Sequence, residues 1–357
     1  MTTAGAGARP TTTPARPGAQ RGAGEGWIRT AEDRSTVQHH PAVRAWAALR
    51  PDAAVEAVDA LPRKRPTLAA VYRLHGVAGP GPAVIAKYCE AATIAVERRI
   101  YQEVLPTASV WALHCHGMVS EPDGEHAWLF LEEGPGDPCS LAAAAHQALA
   151  SEWLAHMHTA TSRLCGSNSS PPSPVPPSLP DRGPARFLSH LRAARDAIQA
   201  SQGCPTIGRA PRSLLARILD HCDRIEADWQ LVEQRCEQMP RSLVHGDYVA
   251  KNLRVARHGG QDTLIVIDWE MAGWGTPAPD LHKVDLTAYR AAAAEHWQEL
   301  TMEQVQEWAR VGMVLRLLAE THWEAQRLFW GGPAPALHRL ESYELALTNA
   351  ARDLGLA

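Results

Sequence analysis

Asp247, Asn252 and Asp268 form a polar set at short spacing: Asn252 lies five residues after Asp247, and Asp268 follows sixteen residues later. All three fall in the stretch SLVHGDYVAKNLRVARHGGQDTLIVIDWE, residues 242–270. Phosphoryl transfer asks for this combination: one carboxylate to orient the attacking hydroxyl, and an amide with a second carboxylate to hold magnesium. His245 stands two residues before Asp247, and Glu270 two residues after Asp268. Short apolar runs at 242–244 and 264–267 precede the two polar clusters. That order predicts buried strand ends that deliver carboxylates to a cleft.

HGD-x-x-x-x-N followed by IDWE resembles the aminoglycoside phosphotransferase family, which is protein-kinase-like. The protein-kinase counterparts are the catalytic loop H-R-D-x-x-x-x-N and the metal-binding D-F-G. The resemblance implies an α+β, two-lobed fold: a small N-lobe with an antiparallel sheet plus one helix, and a larger, mainly helical C-lobe. It implies ATP as phosphoryl donor, with GTP open, and Mg2+ as the ion. Asp247 would orient or accept the hydroxyl proton, and His245 would brace its loop. Asn252 and Asp268 would be the metal ligands, with Glu270 assisting metal or substrate.

The same resemblance assigns the nucleotide side. Lys87 closes the strand AVIAKY as the strand lysine does in V-A-I-K, where it holds the α/β-phosphates. Glu97, ten residues on in VERRIYQEVLP, would pair with it, and Glu103 is the alternative. Leu131, Glu132 and Glu133 before Gly134-Pro135-Gly136 would be the inter-lobe hinge whose backbone binds the base. The covering loop G-x-G-x-x-G is missing: residues 61–67 read LPRKRPT, where Arg63, Lys64 and Arg65 supply charge instead. Asp280 in APDL would cap or anchor the following helix. It also counts with Glu320, Trp323, Glu324 and Trp330 on the acceptor side. An acidic, aromatic pocket suits a cationic or sugar acceptor.

The elements that must carry these residues follow from pattern. Residues 1–35 are rich in Gly, Ala, Pro, Thr and Arg without apolar period, predicting a disordered tail. Residues 36–133 read as the N-lobe. Val43, Trp46 and Leu49 mark one helix face, and 67–74 and 83–88 a hairpin around glycines and prolines. Residues 91–105 are helical, 109–119 and 126–132 a strand pair. Residues 134–357 read as the C-lobe, with helices over 140–165, 187–202, 211–239 and most of 286–357. A Pro/Ser-rich insertion, 166–185, interrupts it as an exposed loop.

Composition excludes other classes. The net charge of −4 gives no field for nucleic acid, and no run of eighteen apolar residues predicts a membrane span. Seven scattered cysteines without C-x-x-C argue against a disulfide framework or a zinc site. The N-terminus lacks an apolar signal region, so a cytoplasmic location is expected. Nothing in the pattern sets an oligomeric state. The expected activity is ATP-dependent O-phosphorylation of a hydroxyl-bearing small molecule, an antibiotic or other natural product of aminoglycoside type. The alternatives are a metabolic kinase for an amino alcohol, homoserine or a sugar, and a nucleotide-binding pseudoenzyme, against which retention of Asp247, Asn252 and Asp268 argues.

Overall fold

The computed structural model describes residues 26–62, 69–77, 83–165, 178–202, 207–258, 260–329 and 333–356. In chain order the first part holds β1 (Ile28–Ala31), α1 (Arg34–His39), α2 (Pro41–Leu49), β2 (Ala57–Ala60), β3 (Ala70–His75) and β4 (Val84–Glu90). Then come α3 (Ala91–Arg99), a π-helical turn at Ile100–Val104, α4 (Leu105–Thr107), β5 (Cys115–Ser120) and β6 (His126–Glu132). The six strands form one sheet in the order β1-β2-β3-β4-β6-β5, every neighbouring pair antiparallel.

Alternation along β6 explains why this sheet buries both faces. Trp128 and Phe130 point to a cluster with Trp46 of α2, while Ala127, Leu129 and Leu131 join Ile94 and Ile100 of the α3 side. One face thus takes α2 and the other α3, and α3 is thereby pressed against the strand that carries Lys87. This is the antiparallel sheet that the resemblance implies for the N-terminal part.

The rest is mostly helical: α5 (Ala144–Ser162), α6 (Pro184–Ser201), α7 (Arg209–Ala227), α8 (Trp229–Glu237), α9 (Leu286–Ala293), α10 (Met302–Gln326) and α11 (Ala334–Asp353). Among the helices are β7 (Asp137–Pro138), β8 (Asp181–Arg182), β9 (Ser242–Val244), β10 (Leu253–His258), β11 (Gln261–Val266) and β12 (Gly273–Gly275). They make two small sheets, β11-β10-β7 and β8-β12-β9. The long α10 starts on a capping box between Thr301 and Gln304 and packs against α6 and α11. Gly312 lets it come close to the turn at Ala278–Leu281, since a Cβ there would stand 1.9 Å from the Ala278 carbonyl oxygen. No described helix is long and apolar enough to cross a membrane.

Three expectations need correction. Residues 26–35 are not tail: β1 pairs with β2, Trp27 stacks under Arg73, and Asp33 caps α1 by accepting the Ser35 and Thr36 amides. A four-residue edge strand is held by backbone bonds and shows no side-chain period. Residues 178–185 of the expected loop form β8 and begin α6; residues 166–177 lie outside the described residues. The strand expected over 109–119 begins only at Cys115. Ser109 has a left-handed backbone, φ 55°, and Val110, Ala112 and Leu113 after it pack without ladder pairing while Trp111 is exposed.

Candidate active site

The loop after β9 carries His245, Gly246 and Asp247. Gly246 has φ +78°, and a Cβ there would come 2.7 Å from the Met271 carbonyl oxygen, so both backbone shape and space demand glycine. Asp280, 1% exposed, holds this loop from below. The His245 amide donates to its Oδ2 at 2.6 Å and the Gly246 amide to its Oδ1 at 2.8 Å. His158 of α5 lies 3.4 Å from the same Oδ2 and bonds Tyr289 through its other nitrogen. Burial pushes the Asp280 carboxyl up, but the hydrogen bond and charge of His158, with His245, win and hold it below the usual aspartate range.

His245 is fully buried and braces the site. Its Nδ1 accepts the Asp247 amide at 3.2 Å and its Nε2 donates to the Ile267 carbonyl at 3.0 Å. With both nitrogens spent internally, it stands as a strut of the loop. Asn252 donates its amide to the Asp247 backbone oxygen at 2.9 Å and to Asp247 Oδ2 at 3.2 Å, and its own Oδ1 is by type an acceptor. The Ile267 amide donates to the Asn252 carbonyl at 3.0 Å and ties the two polar clusters together. Asp268 takes a left-handed backbone, φ 68°, at the point where the chain leaves β11.

Lys87 is the junction between the lobes. Its Nζ lies 2.5 Å from Glu97 Oε1, 2.7 Å from Asp268 Oδ1 and 3.0 Å from Glu270 Oε2. Burial opposes its charge, but the three carboxylates outweigh burial and hold the ammonium well above the usual lysine range. Burial lifts the Glu97 carboxyl to about 7 against the pull of Lys87. For Asp268 burial also pushes upward, and the Lys87 charge overcomes it and holds the carboxyl low. Glu97 is thus the partner of Lys87; Glu103 is half-buried and faces Arg98 and Arg99. Ligand oxygens of Glu97, Asp268 and Glu270 lie within 4.8 Å of one another. The three carboxylates are a hard, oxygen-only donor set, of the kind that fits Mg2+ and not a soft metal.

The remaining expected residues fall elsewhere. The Glu132 amide is taken by the His114 carbonyl and the Glu133 amide by Ala83, so neither donor is open to a base. The Leu131 side chain is core, and the Glu133 carboxylate pairs with Arg73. Glu270 belongs to the Lys87 junction and not to an acceptor pocket. Asp280 neither meets an acceptor nor caps the next helix; Asp285 caps α9. Glu320 lies 2.8 Å from Arg316, and Glu324 is bonded by Arg327 and Arg339. Trp323 packs edge-on against His190. Arg63, Lys64, Arg65 and Trp330 lie outside the described residues.

Arg316 was not singled out from the sequence. It is 8% exposed on α10, and its Nη2 reaches Asp247 Oδ1 at 3.3 Å, while Lys251 meets Oδ2 at 2.8 Å. The available signal was a charged residue inside the apolar run Val314, Leu315, Leu317, Leu318.

Comparison with known proteins adds the following. The phosphotransferase enzyme family, APH, matches residues 69–313. No curated protein matches by sequence. A microcompartment-associated aminopropanol kinase aligns with a TM-score of 0.59 and 15% identity, covering 88% of this chain and 98% of that one. The GDP complex of wild-type aminoglycoside 2'-phosphotransferase-IIIa aligns at 0.58 and 13%, covering 85% and 97%. Spectinomycin phosphotransferase in complex with ADP and spectinomycin aligns at 0.52 and 9%, covering 84% and 94%. At such identities the likeness is one of fold, a kinase-like fold shared over nearly the whole of each chain.

Proposed function

This chain belongs to the phosphotransferase enzyme family, and from that premise we propose that it transfers the γ-phosphoryl group of ATP to a hydroxyl of a small molecule. The observation that carries the reading is the position of Lys87, buried between Glu97 of α3 and Asp268, 181 residues away in sequence. A charged ammonium fixed at the mouth of two lobes, beside an oxygen-only donor set and a positioned carboxylate, suits a triphosphate. The neighbours whose names include GDP and ADP support a nucleotide there.

In this reading Lys87 holds the α/β-phosphates and Glu97 keeps it in place. Asn252 and Asp268 would hold Mg2+, which would supply positive charge to offset that of the phosphates. Asp247 accepts the proton of the acceptor hydroxyl. The acceptor oxygen forms its bond to the γ-phosphorus, the bond from that phosphorus to the bridging oxygen breaks, and ADP leaves. A loose transition state needs little basicity, so position matters more than proton affinity at Asp247. Asp280 and His245 supply that position.

The test is Asp247→Asn. Turnover on a panel of hydroxyl compounds, read by mass spectrometry as a gain of one phosphate, should fall by roughly a hundredfold or more. The rise in melting temperature with ATP and magnesium should persist. Near-parental turnover in this variant would sink the assignment.

A further inference from the structure

The acids expected to greet a cationic acceptor are held by groups of the chain itself. Glu324 is 6% exposed and accepts Arg327 and Arg339 on Oε1, each at 2.8 Å, while its Oε2 is buried without a partner. Glu320 lies 2.8 Å from Arg316 Nε, and Asp280 is buried beneath the catalytic loop. What Asp247 itself meets is cationic: Arg316 at Oδ1 and Lys251 at Oδ2. The Arg316 Nε–H points past Glu320 and has no hydrogen-bond acceptor, although it is buried. His282 adds no negative charge; burial, then the fields of Arg316 and Lys283, push its imidazole down to about 4.

Asp247 Oδ2 is engaged by Lys251 and Asn252, so a hydroxyl has Oδ1 to approach, the oxygen that Arg316 faces. Whatever group sits beside that hydroxyl therefore meets a guanidinium held in a largely buried place. Guanidinium groups bind carboxylate and other oxygen acceptors and repel ammonium, the more strongly where water is excluded.

We propose that Arg316 is a specificity-determining residue, selecting acceptors with a carboxylate or neutral oxygen beside the reacting hydroxyl and rejecting those with an ammonium there. This rests on the reading of Asp247 as the group that takes the hydroxyl proton. Glu320 offsets part of the guanidinium charge, leaving the donor turned to Asp247 in play. The acceptor side thus disfavours polycations despite its count of acidic residues.

The experiment uses the full chain with ATP, magnesium and matched acceptors: ethanolamine, ethylene glycol and glycolate; glucosamine, glucose and glucuronate; and kanamycin. Phosphate gain is followed by mass spectrometry, and specificity constants are compared within each matched set, so that differences in folded fraction cancel. In the parent, the anionic or neutral member should exceed the ammonium member by roughly tenfold or more, the scale of one unit charge at contact range. Arg316→Gln should collapse that ratio towards one, and Arg316→Lys should keep most of it. Preference of the parent for ethanolamine, glucosamine or kanamycin would overturn the proposal while leaving the kinase reading intact. An unchanged ratio in Arg316→Gln would do the same. Phosphate gain on no compound, with a melting shift still induced by ATP and magnesium, would instead overturn the kinase reading and this inference with it.

Discussion

Replacing Asp280 by asparagine keeps the shape of the side chain and removes one acceptor oxygen. In the parent both oxygens are used: Oδ2 by the His245 amide at 2.6 Å and Oδ1 by the Gly246 amide at 2.8 Å. Asparagine satisfies only one of them and turns an NH2 towards the other, so two donors face each other in a fully buried place. Losing one hydrogen bond to a charged group and stranding a buried N–H costs about 3–5 kcal/mol together. Set against a total stability of roughly 5–15 kcal/mol, that is large. Urea unfolding should show it as a lower midpoint at unchanged slope. Asp247 is two residues from His245, so kcat should fall as well, while KM for ATP, proposed to bind at Lys87, should hold. Because the Asp280 carboxyl is held low in the fold, its contribution is in place above pH ~4 and is lost as pH falls below that; the asparagine variant should lack this acid limb. An Asp280→Asn protein unfolding within ~1 kcal/mol of the parent, with parental kcat, would refute the anchoring argument.

Gly312→Ala should lower the melting temperature although alanine is the better helix former, because its Cβ would meet the Ala278 carbonyl oxygen at 1.9 Å and overpacking costs about 1–3 kcal/mol. An unchanged or raised melting temperature would contradict the close approach of α10. His190 is buried, and burial followed by the fields of Arg186 and His322 pushes its imidazole down to about 3. A histidine neutral in the fold stabilises fully above its unfolded value of about 6.5 and loses that as pH falls towards the folded value, about 2 kcal/mol by pH 5. His190→Gln should therefore flatten the fall of stability between pH 7 and pH 5, and an equally steep fall in both proteins would count against it.

The parts of this molecule that were legible in sequence are those whose chemistry is local. HGD, Asn252 and IDWE sit on one short stretch, and their side chains need little more than a loop and a hairpin to converge. Lys87 and Glu97 are ten residues apart because a strand runs directly into a helix. Arg316 was silent because its partner Asp247 is 69 residues away and nothing in its own neighbourhood marks it except the apolar residues around it. Glu270 and Asp280 were noticed as acids, but residue type carries no direction: one turns to Lys87, the other lies beneath the loop. The edge strand at Ile28–Ala31 escaped because backbone pairing leaves no trace in side-chain pattern over four residues.

Asn252 and Asp268 flank one hairpin: Leu253 pairs with Val266, His258 with Gln261, and the Ile267 amide closes on the Asn252 carbonyl. Their separation in space is thus set at the open end of a two-stranded ladder, whatever lies at its far end. The sixteen-residue interval between them is accordingly an accident of strand length. Residues added or removed in balanced pairs between His258 and Gln261 would change that interval and leave the two side chains where they are. What natural variation must preserve across this stretch is the pairing register, since a slip of one residue would turn Asn252 to the opposite face.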